Sequence, residues 1–229
     1  MHETQINQIL FEVFKKIHII EYALIKLDPI FPYLTAGSDI DLLVKDPDQA
    51  TQLLLDSLNN FVKDDAYEIY IQSIRREHIQ IDLLKDNAII IRFDIHSKLP
   101  EYKYLAIKDS LFERILSESK EKEIKNIHIK VPSLNHELMI RYFEYIEYYS
   151  IRPDKIKHIN YITESLVDKE HFFSQIHFYT KFDTNRSEVL NTKQSTFINY
   201  QLIRINKAFK RYGLLGTIRL AISKFSKNK

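Results

Sequence analysis

The stretch Gly37-Ser38-Asp39-Ile40-Asp41-Leu42-Leu43-Val44 decides the fold of this chain. Gly37 is the first of only three glycines, with Gly213 and Gly216 far behind it. Asp-x-Asp running into branched apolar residues describes a strand that buries one end and presents two acids at the other. Alternate residues of a strand point the same way, so Asp39 and Asp41 converge on one face. Carboxylates that close repel unless a cation lies between them, and oxygen ligands suit a hard divalent ion such as Mg2+. The alternative is a strand leaving a polar turn with both acids solvated, because Asp-x-Asp alone is a weak pattern.

Outward from this strand, the neighbouring segments read as a mixed sheet with helices. Upstream, Ile6, Ile9, Leu10, Val13, Phe14 and Ile17 recur at helical spacing, and Tyr22-Ala23-Leu24-Ile25 reads as a buried strand. Downstream, Asp46-Pro47 stops the acidic strand and starts a helix, with Asp46 as N-cap, Pro47 at the first helical position and Gln49 in capping-box spacing. Strand-like stretches at about 67–74, 77–84 and 88–95, split by polar turns such as Asp86-Asn87, predict an antiparallel meander. The expected class is α+β, with a mixed β-sheet core over residues 1–105 and a mainly helical region over 106–229. In that second region Pro132-Ser133 precedes a helix carrying Leu138, Met139, Tyr142, Phe143, Ile146 and Tyr149. Arg152-Pro153-Asp154 breaks it before another helix reaching Leu166.

Composition narrows the setting. A hydrophobic content of 45% over 229 residues supports a sizeable core, and the absence of cysteine excludes disulfides and thiolate metal sites. The N-terminus lacks the pattern of a signal peptide and no apolar run approaches membrane-spanning length, so a cytoplasmic protein is expected. The net charge of +2 hides a division: the last acid is Glu188, and residues 189–229 carry nine Lys or Arg. Residues 197–229 form two basic amphipathic stripes, suited either to an anionic membrane surface at the inner face or to packing on the domain. Sequence-specific nucleic-acid binding is not expected, because no recognition motif accompanies the charge.

A third acid would turn the pair into a recognisable site, and the meander offers Asp82 in Ile79-Gln80-Ile81-Asp82-Leu83 and Asp94 in Ile91-Arg92-Phe93-Asp94-Ile95-His96. With an apolar-flanked Asp-x-Asp strand and a third Asp on a later strand, the sequence resembles the nucleotidyltransferase superfamily with the DNA polymerase β-like catalytic fold. It is closest to the nucleotidyltransferase-like proteins of bacterial surface-polysaccharide gene clusters, whose third acid often sits in an Asp-x-His context, which favours Asp94 with His96. The resemblance implies Asp39, Asp41 and Asp94 as catalytic residues and ligands of two Mg2+ ions. It also implies a nucleoside triphosphate as donor and a small phosphorylated or hydroxylated acceptor. Such a transfer is an in-line displacement, with one ion stabilising the entering oxygen and the other the departing pyrophosphate.

One departure from the family pattern stands out. Counting back from Asp39, the family's Gly-Ser turn falls near Leu27-Asp28, where neither residue suits a phosphate cradle. Lys26 offers a cation there instead, and Ser38, His96, Arg152 and Lys155 are further candidates for substrate contact. Arg141, Arg152, Lys155, Lys157 and His158 accompany Tyr142, Tyr145, Tyr148 and Tyr149, either as a stacking and phosphate-binding wall or as ordinary helix packing. Two alternative functions therefore stay open. One is transfer of another phosphoryl group, as in the phosphocholine-transferase branch with its similar acidic strand; the other is a non-catalytic binding or scaffold protein on the same fold.

Overall fold

A computed structural model describes residues 2–62, 67–75, 77–100, 102, 105–148 and 152–182. The basic segment 197–229 lies outside the described residues. The chain begins with helix α1 (His2–Ile17), strand β1 (Tyr22–Ile25), strand β2 (Ser38–Val44) and helix α2 (Pro47–Val62). The meander follows as β3 (Tyr67–Arg75), β4 (His78–Lys85) and β5 (Ala88–His96). These five strands make one mixed sheet in the order β1-β2-β5-β4-β3, in which β2 and β5 run parallel and every other neighbouring pair antiparallel. The protein is thus α+β, as its sequence predicts, with a sheet core and packed helices.

Local chemistry sets the boundaries. Asp46 caps α2 through its Oδ1, which accepts the Gln49 N–H at 2.9 Å. The β4–β5 turn places Asp86 and Asn87 at φ 51° and 60°, the left-handed pair that a two-residue hairpin requires. Gly37 sits at φ 84° and donates its N–H to the Ile90 carbonyl at 3.0 Å, so the glycine sets the turn into β2.

Period-two alternation gives the sheet two unlike faces. On one, Leu24, Ile40, Leu42, Ile81, Leu83, Ile91, Phe93 and Ile95 are buried with the stripes of α1 (Ile9, Leu10, Val13, Phe14) and α2 (Ala50, Leu54, Leu58). Complete burial of a side chain such as Phe93 contributes roughly 1.5–3 kcal/mol, which makes this face the main source of stability. On the other face only the β1–β2 end is apolar: Ala23, Ile25 and Leu43 pack with a second, helical core.

That second core draws on α3 (Asp109–Ser117), α4 (Leu134–Tyr148), α5 (Ile156–Ser165) and α6 (Lys169–Tyr179). Its aromatic packing accounts for Tyr142, whose ring meets Phe172 and Phe173 edge-on at 5.7 and 5.9 Å between centroids. The described residues after 105 are less purely helical than their sequence predicts. A hairpin of β7 (Lys120–Ile124) and β8 (Ile127–Val131) intervenes, and β6 (Leu105–Ile107) pairs with β9 (Thr180–Phe182). The hairpin is hard to read from sequence because Lys120-Glu121-Lys122-Glu123 is exposed throughout and shows no apolar alternation. Ile127 and Ile129 of β8 anchor it to the α1 side of the core, and its Lys125-Asn126 turn again uses two left-handed residues. Among the described residues no helix is long and apolar enough to cross a membrane.

Candidate functional site

Strand register builds the site. In the parallel β2–β5 pair Asp41 lies beside Asp94 and Asp39 beside Arg92, and in the antiparallel β4–β5 pair Gln80 lies beside Asp94, Asp82 beside Arg92 and His78 beside His96. Residues side by side in a sheet share a face. Asp39, Asp41, Arg92, Asp94, His96, His78, Gln80 and Asp82 therefore form a continuous polar patch opposite α1 and α2, beyond the apolar cover of Ile25 and Leu43.

The two candidate third acids have different surroundings. Asp82 is fully buried, and its two oxygens accept from Arg92 Nε at 2.7 Å and Arg92 Nη2 at 3.1 Å. Such a bidentate pair satisfies the carboxylate and makes Asp82 a structural partner of Arg92. Asp94 lies next to Asp41, and its Oδ1 is held by Gln80 Nε2 at 2.7 Å and His78 Nε2 at 2.9 Å. The geometry thus groups Asp94, and not Asp82, with the Asp39-Ile40-Asp41 pair.

Asp39 and Asp41 also differ. The Asp39 side chain is 54% exposed, with Arg92 Nη1 3.8 Å from its Oδ1. Burial and the negative charges of Asp94 and Asp41 push its carboxyl above the ordinary range, only partly offset by Arg92 and Lys26. Asp41 is shifted the other way. Burial opposes its charge, but Lys26 Nζ at 3.0 Å and His96 Nε2 at 3.8 Å hold the carboxyl well below the usual range.

Lys26, a candidate for substrate contact from sequence, is engaged by acids of the protein itself. Its ammonium bridges Asp41 and Glu144, the latter at 3.3 Å, and these acids raise its pKa despite burial. Its backbone is left-handed at φ 54°, a conformation that favours glycine, so a glycine-like turn exists at Lys26, one residue before Leu27-Asp28. The N–H exposed by that turn donates to Glu137 Oε2 at 3.0 Å. Arg141 locks Glu137 in place with Nε at 2.6 Å from Oε1 and reaches the Leu27 carbonyl through Nη2 at 3.1 Å. A carboxylate of α4 thus takes the N–H at this turn.

The other expected contacts divide similarly. The Ser38 hydroxyl donates to the Thr35 carbonyl at 2.7 Å and closes the turn before β2. Arg152 grips Asp154 with bonds of 3.0 and 2.7 Å, on the rim. Lys155 is buried and ion-paired with Glu144, which joins it to the Lys26 network instead of leaving it open for ligand. His158, also buried, lies 3.5 Å from Glu144; burial is the main reason its pKa falls to about 4, with the nearby Lys155, Arg141 and Lys26 charges adding to it. His96 lies with its Nε2 3.8 Å from Asp41 Oδ1, two residues beyond Asp94 on β5.

Glu137, Glu144, His78 and Gln80 escaped the sequence reading. The signal for the first two is their spacing: Glu137, Arg141 and Glu144 lie at helical intervals along α4 and are buried, so charged residues share a packed helix side. His78 and Gln80 alternate with Ile79 and Ile81, which places them opposite the main core.

Three carboxylates on one sheet face carry the oxygen donors that a hard divalent ion needs, and the Asp39 pKa is raised by burial first and then by the charges of Asp94 and Asp41, the part that a cation would relieve. Asp39, Asp41 and Asp94 are the residues whose oxygens could hold such an ion, which would require Lys26 to yield its contact with Asp41 and the carboxylates to draw together, since the donor atoms that already lie within 4.8 Å of one another among the described residues are those of His78, Asp94 and His96.

No protein-family model matches the sequence, and no curated protein matches it. Among solved structures, the fold overlaps in part with JHP933 from Helicobacter pylori and with a candidate nucleotidyltransferase from H. pylori, each at 7% sequence identity and a TM-score of 0.38. The overlap covers 61% of this chain and 55% and 57% of those two, so the chain spans little more than half the length of either.

Proposed function

We propose that the protein is a metal-dependent nucleotidyltransferase that moves a nucleotidyl group from a nucleoside triphosphate to a small phosphorylated or hydroxylated acceptor. Surface-polysaccharide assembly is the setting that its family resemblance suggests. The observation that carries the reading is the β2–β5 register, which sets Asp94 beside Asp41 with Asp39 two residues earlier on the same face. In this reading Asp39, Asp41 and Asp94 hold two Mg2+ ions, which when bound would neutralise phosphate charge and favour in-line displacement of pyrophosphate. On this reading Asp94 would also accept the proton of the attacking hydroxyl, a role that its contacts with His78 and Gln80 support by fixing its orientation. Asp41 keeps its charge through Lys26 and His96, while Asp39 faces solvent where a triphosphate would arrive.

A second reading rests on a specific observation as well. Lys26 already neutralises Asp41, and Glu137 already takes the N–H of the glycine-like turn. A site so satisfied suits a non-catalytic binding module on the same fold. Calorimetry of the full chain with Mg2+ and each nucleoside triphosphate separates the two readings. Magnesium-dependent nucleotide binding that disappears in Asp41→Asn supports the transferase, whereas no nucleotide binding at any Mg2+ concentration favours the module.

A further inference from the structure

His78 and His96 are partners in the β4–β5 register, and their rings stack with centroids 4.2 Å apart and planes 25° from parallel. Asp94 lies on the same face, its Oδ1 2.9 Å from His78 Nε2. One donor atom from each of the three residues falls within 4.8 Å of the other two, and all three side chains are partly sheltered from solvent, at 24%, 12% and 12% exposure for His78, Asp94 and His96. A hydrogen-bonded His–Asp pair alone would need only one imidazole. Here a second is stacked on the first, and each ring brings a nitrogen to one small volume, where a metal would take the place of the His78–Asp94 proton.

The surroundings suit a metal better than a lone ion pair. Gln80 Nε2 donates to Asp94 Oδ1 at 2.7 Å, the kind of outer contact that orients a ligating carboxylate. Asp41 Oδ1, 3.8 Å from His96 Nε2, supplies a nearby acceptor for the second ring. Two imidazole nitrogens and one carboxylate oxygen form a borderline donor set that favours first-row transition metals over Mg2+. Metal–nitrogen bonds of about 2.0–2.1 Å in tetrahedral geometry set donors roughly 3.3 Å apart, so a pair near the 4.8 Å limit closes by up to about 1.5 Å while the 2.9 Å His78–Asp94 pair opens slightly, adjustments of a size that the broad terminal rotations of His and Asp side chains permit.

We propose that His78, Asp94 and His96 form a transition-metal site, of the Zn2+ or Co2+ class, adjoining the Asp39–Asp41 pair. The site shares Asp94 with the nucleotidyl-transfer reading but goes beyond it and stands without it, since His78 and His96 have no ligand role there and the site needs neither Asp39 nor a triphosphate.

Titration of the metal-free full chain with Co2+, followed by visible absorption, tests this. The expected result is ligand-field bands of imidazole-bound Co2+ that Zn2+ removes and a large excess of Mg2+ does not. His78→Gln keeps a hydrogen-bonding side chain near Asp94 but removes the ring. This variant and His96→Ala should each weaken Co2+ binding by more than about 100-fold, beyond the loss expected from an outer contact. Asp39→Asn should leave the bands unchanged. Circular dichroism establishes that each variant is folded, and Co2+ binding is compared only among folded ones. No bands in the wild-type chain, bands that persist at full strength in both histidine variants, or equal displacement by Mg2+ would overturn the site. A failure of nucleotide binding with the bands intact would count only against the transferase.

Discussion

On one face of the central sheet Ile40, Leu42, Ile81 and Phe93 are sealed under α1 and α2; on the other, alternate residues of the same strands are Asp39, Asp41, Gln80 and Asp94. One backbone supports both because successive strand side chains point to opposite sides. The apolar face gains stability from each residue removed from water. The polar face brings like charges together and requires cations, and Lys26 and Arg92 provide them. The difference teaches that fold and site are separable here: the first rests on burial, the second on charge compensation.

The comparison can be broken from either side. The largest effect belongs to the apolar face. Phe93→Ala should cost about 3–5 kcal/mol in chemical denaturation, through lost burial and the cavity left behind. A cost below about 1 kcal/mol would mean that this face is not the main source of stability.

Lys26→Met comes next and acts on the polar face. It leaves Asp41 and Glu144 without their shared cation and should destabilise the protein by about 3 kcal/mol. The same variant should bind Mg2+ more tightly than the wild type in calorimetry, because the competitor at Asp41 is gone. Unchanged Mg2+ affinity would separate Lys26 from any metal site.

The third effect is on pH. His158 is packed among Glu144, Lys155, Arg141 and Lys26, and its folded pKa of about 4 lies below the ordinary 6.5. The unfolded chain therefore takes up a proton first as pH falls, and stability drops between the two values. From pH 7 to pH 5 the His158 share of the loss should be about 2 kcal/mol; His136, whose pKa burial also lowers, adds to it, and the depressed Asp41 and Glu144 carboxyls contribute mainly at more acid pH. Thermal unfolding at the two pH values should show this in the wild type and a flattened dependence in His158→Gln.

The smallest effect is at Asp39, whose raised pKa marks a charge that the folded protein tolerates poorly. Asp39→Asn should stabilise the metal-free chain by less than about 1 kcal/mol, given the exposure of the side chain. A loss of stability would mean that the contact with Arg92 outweighs the repulsion from Asp94 and Asp41.

The sheet was legible from sequence because its signals are local. Alternation in β2, the Asp46-Pro47 cap and the Asp86-Asn87 turn each act over a few residues, and the structure places them as read. The family resemblance favours Asp94 as the third acid with Asp82 as the alternative, but the residues alone do not separate them, since their cross-strand partners differ: Arg92 for Asp82, His78 and Gln80 for Asp94. Glu137 and Glu144 were illegible for a related reason. They lie more than 100 residues after Lys26 in the chain, and no local pattern announces that α4 folds back onto the turn after β1. α6 escaped because its aromatic and histidine residues make no clear apolar stripe.

The central claim is that Asp39, Asp41 and Asp94 gather a divalent cation for a nucleotide. The most direct test is anomalous scattering from crystals of the full chain grown with Mn2+ and a non-hydrolysable nucleoside triphosphate. The account predicts a peak between Asp41 and Asp94, with Lys26 withdrawn from Asp41 and the triphosphate bound beside Asp39. Saturating ligand with no peak at these carboxylates, and Lys26 still bridging Asp41 and Glu144, would contradict it.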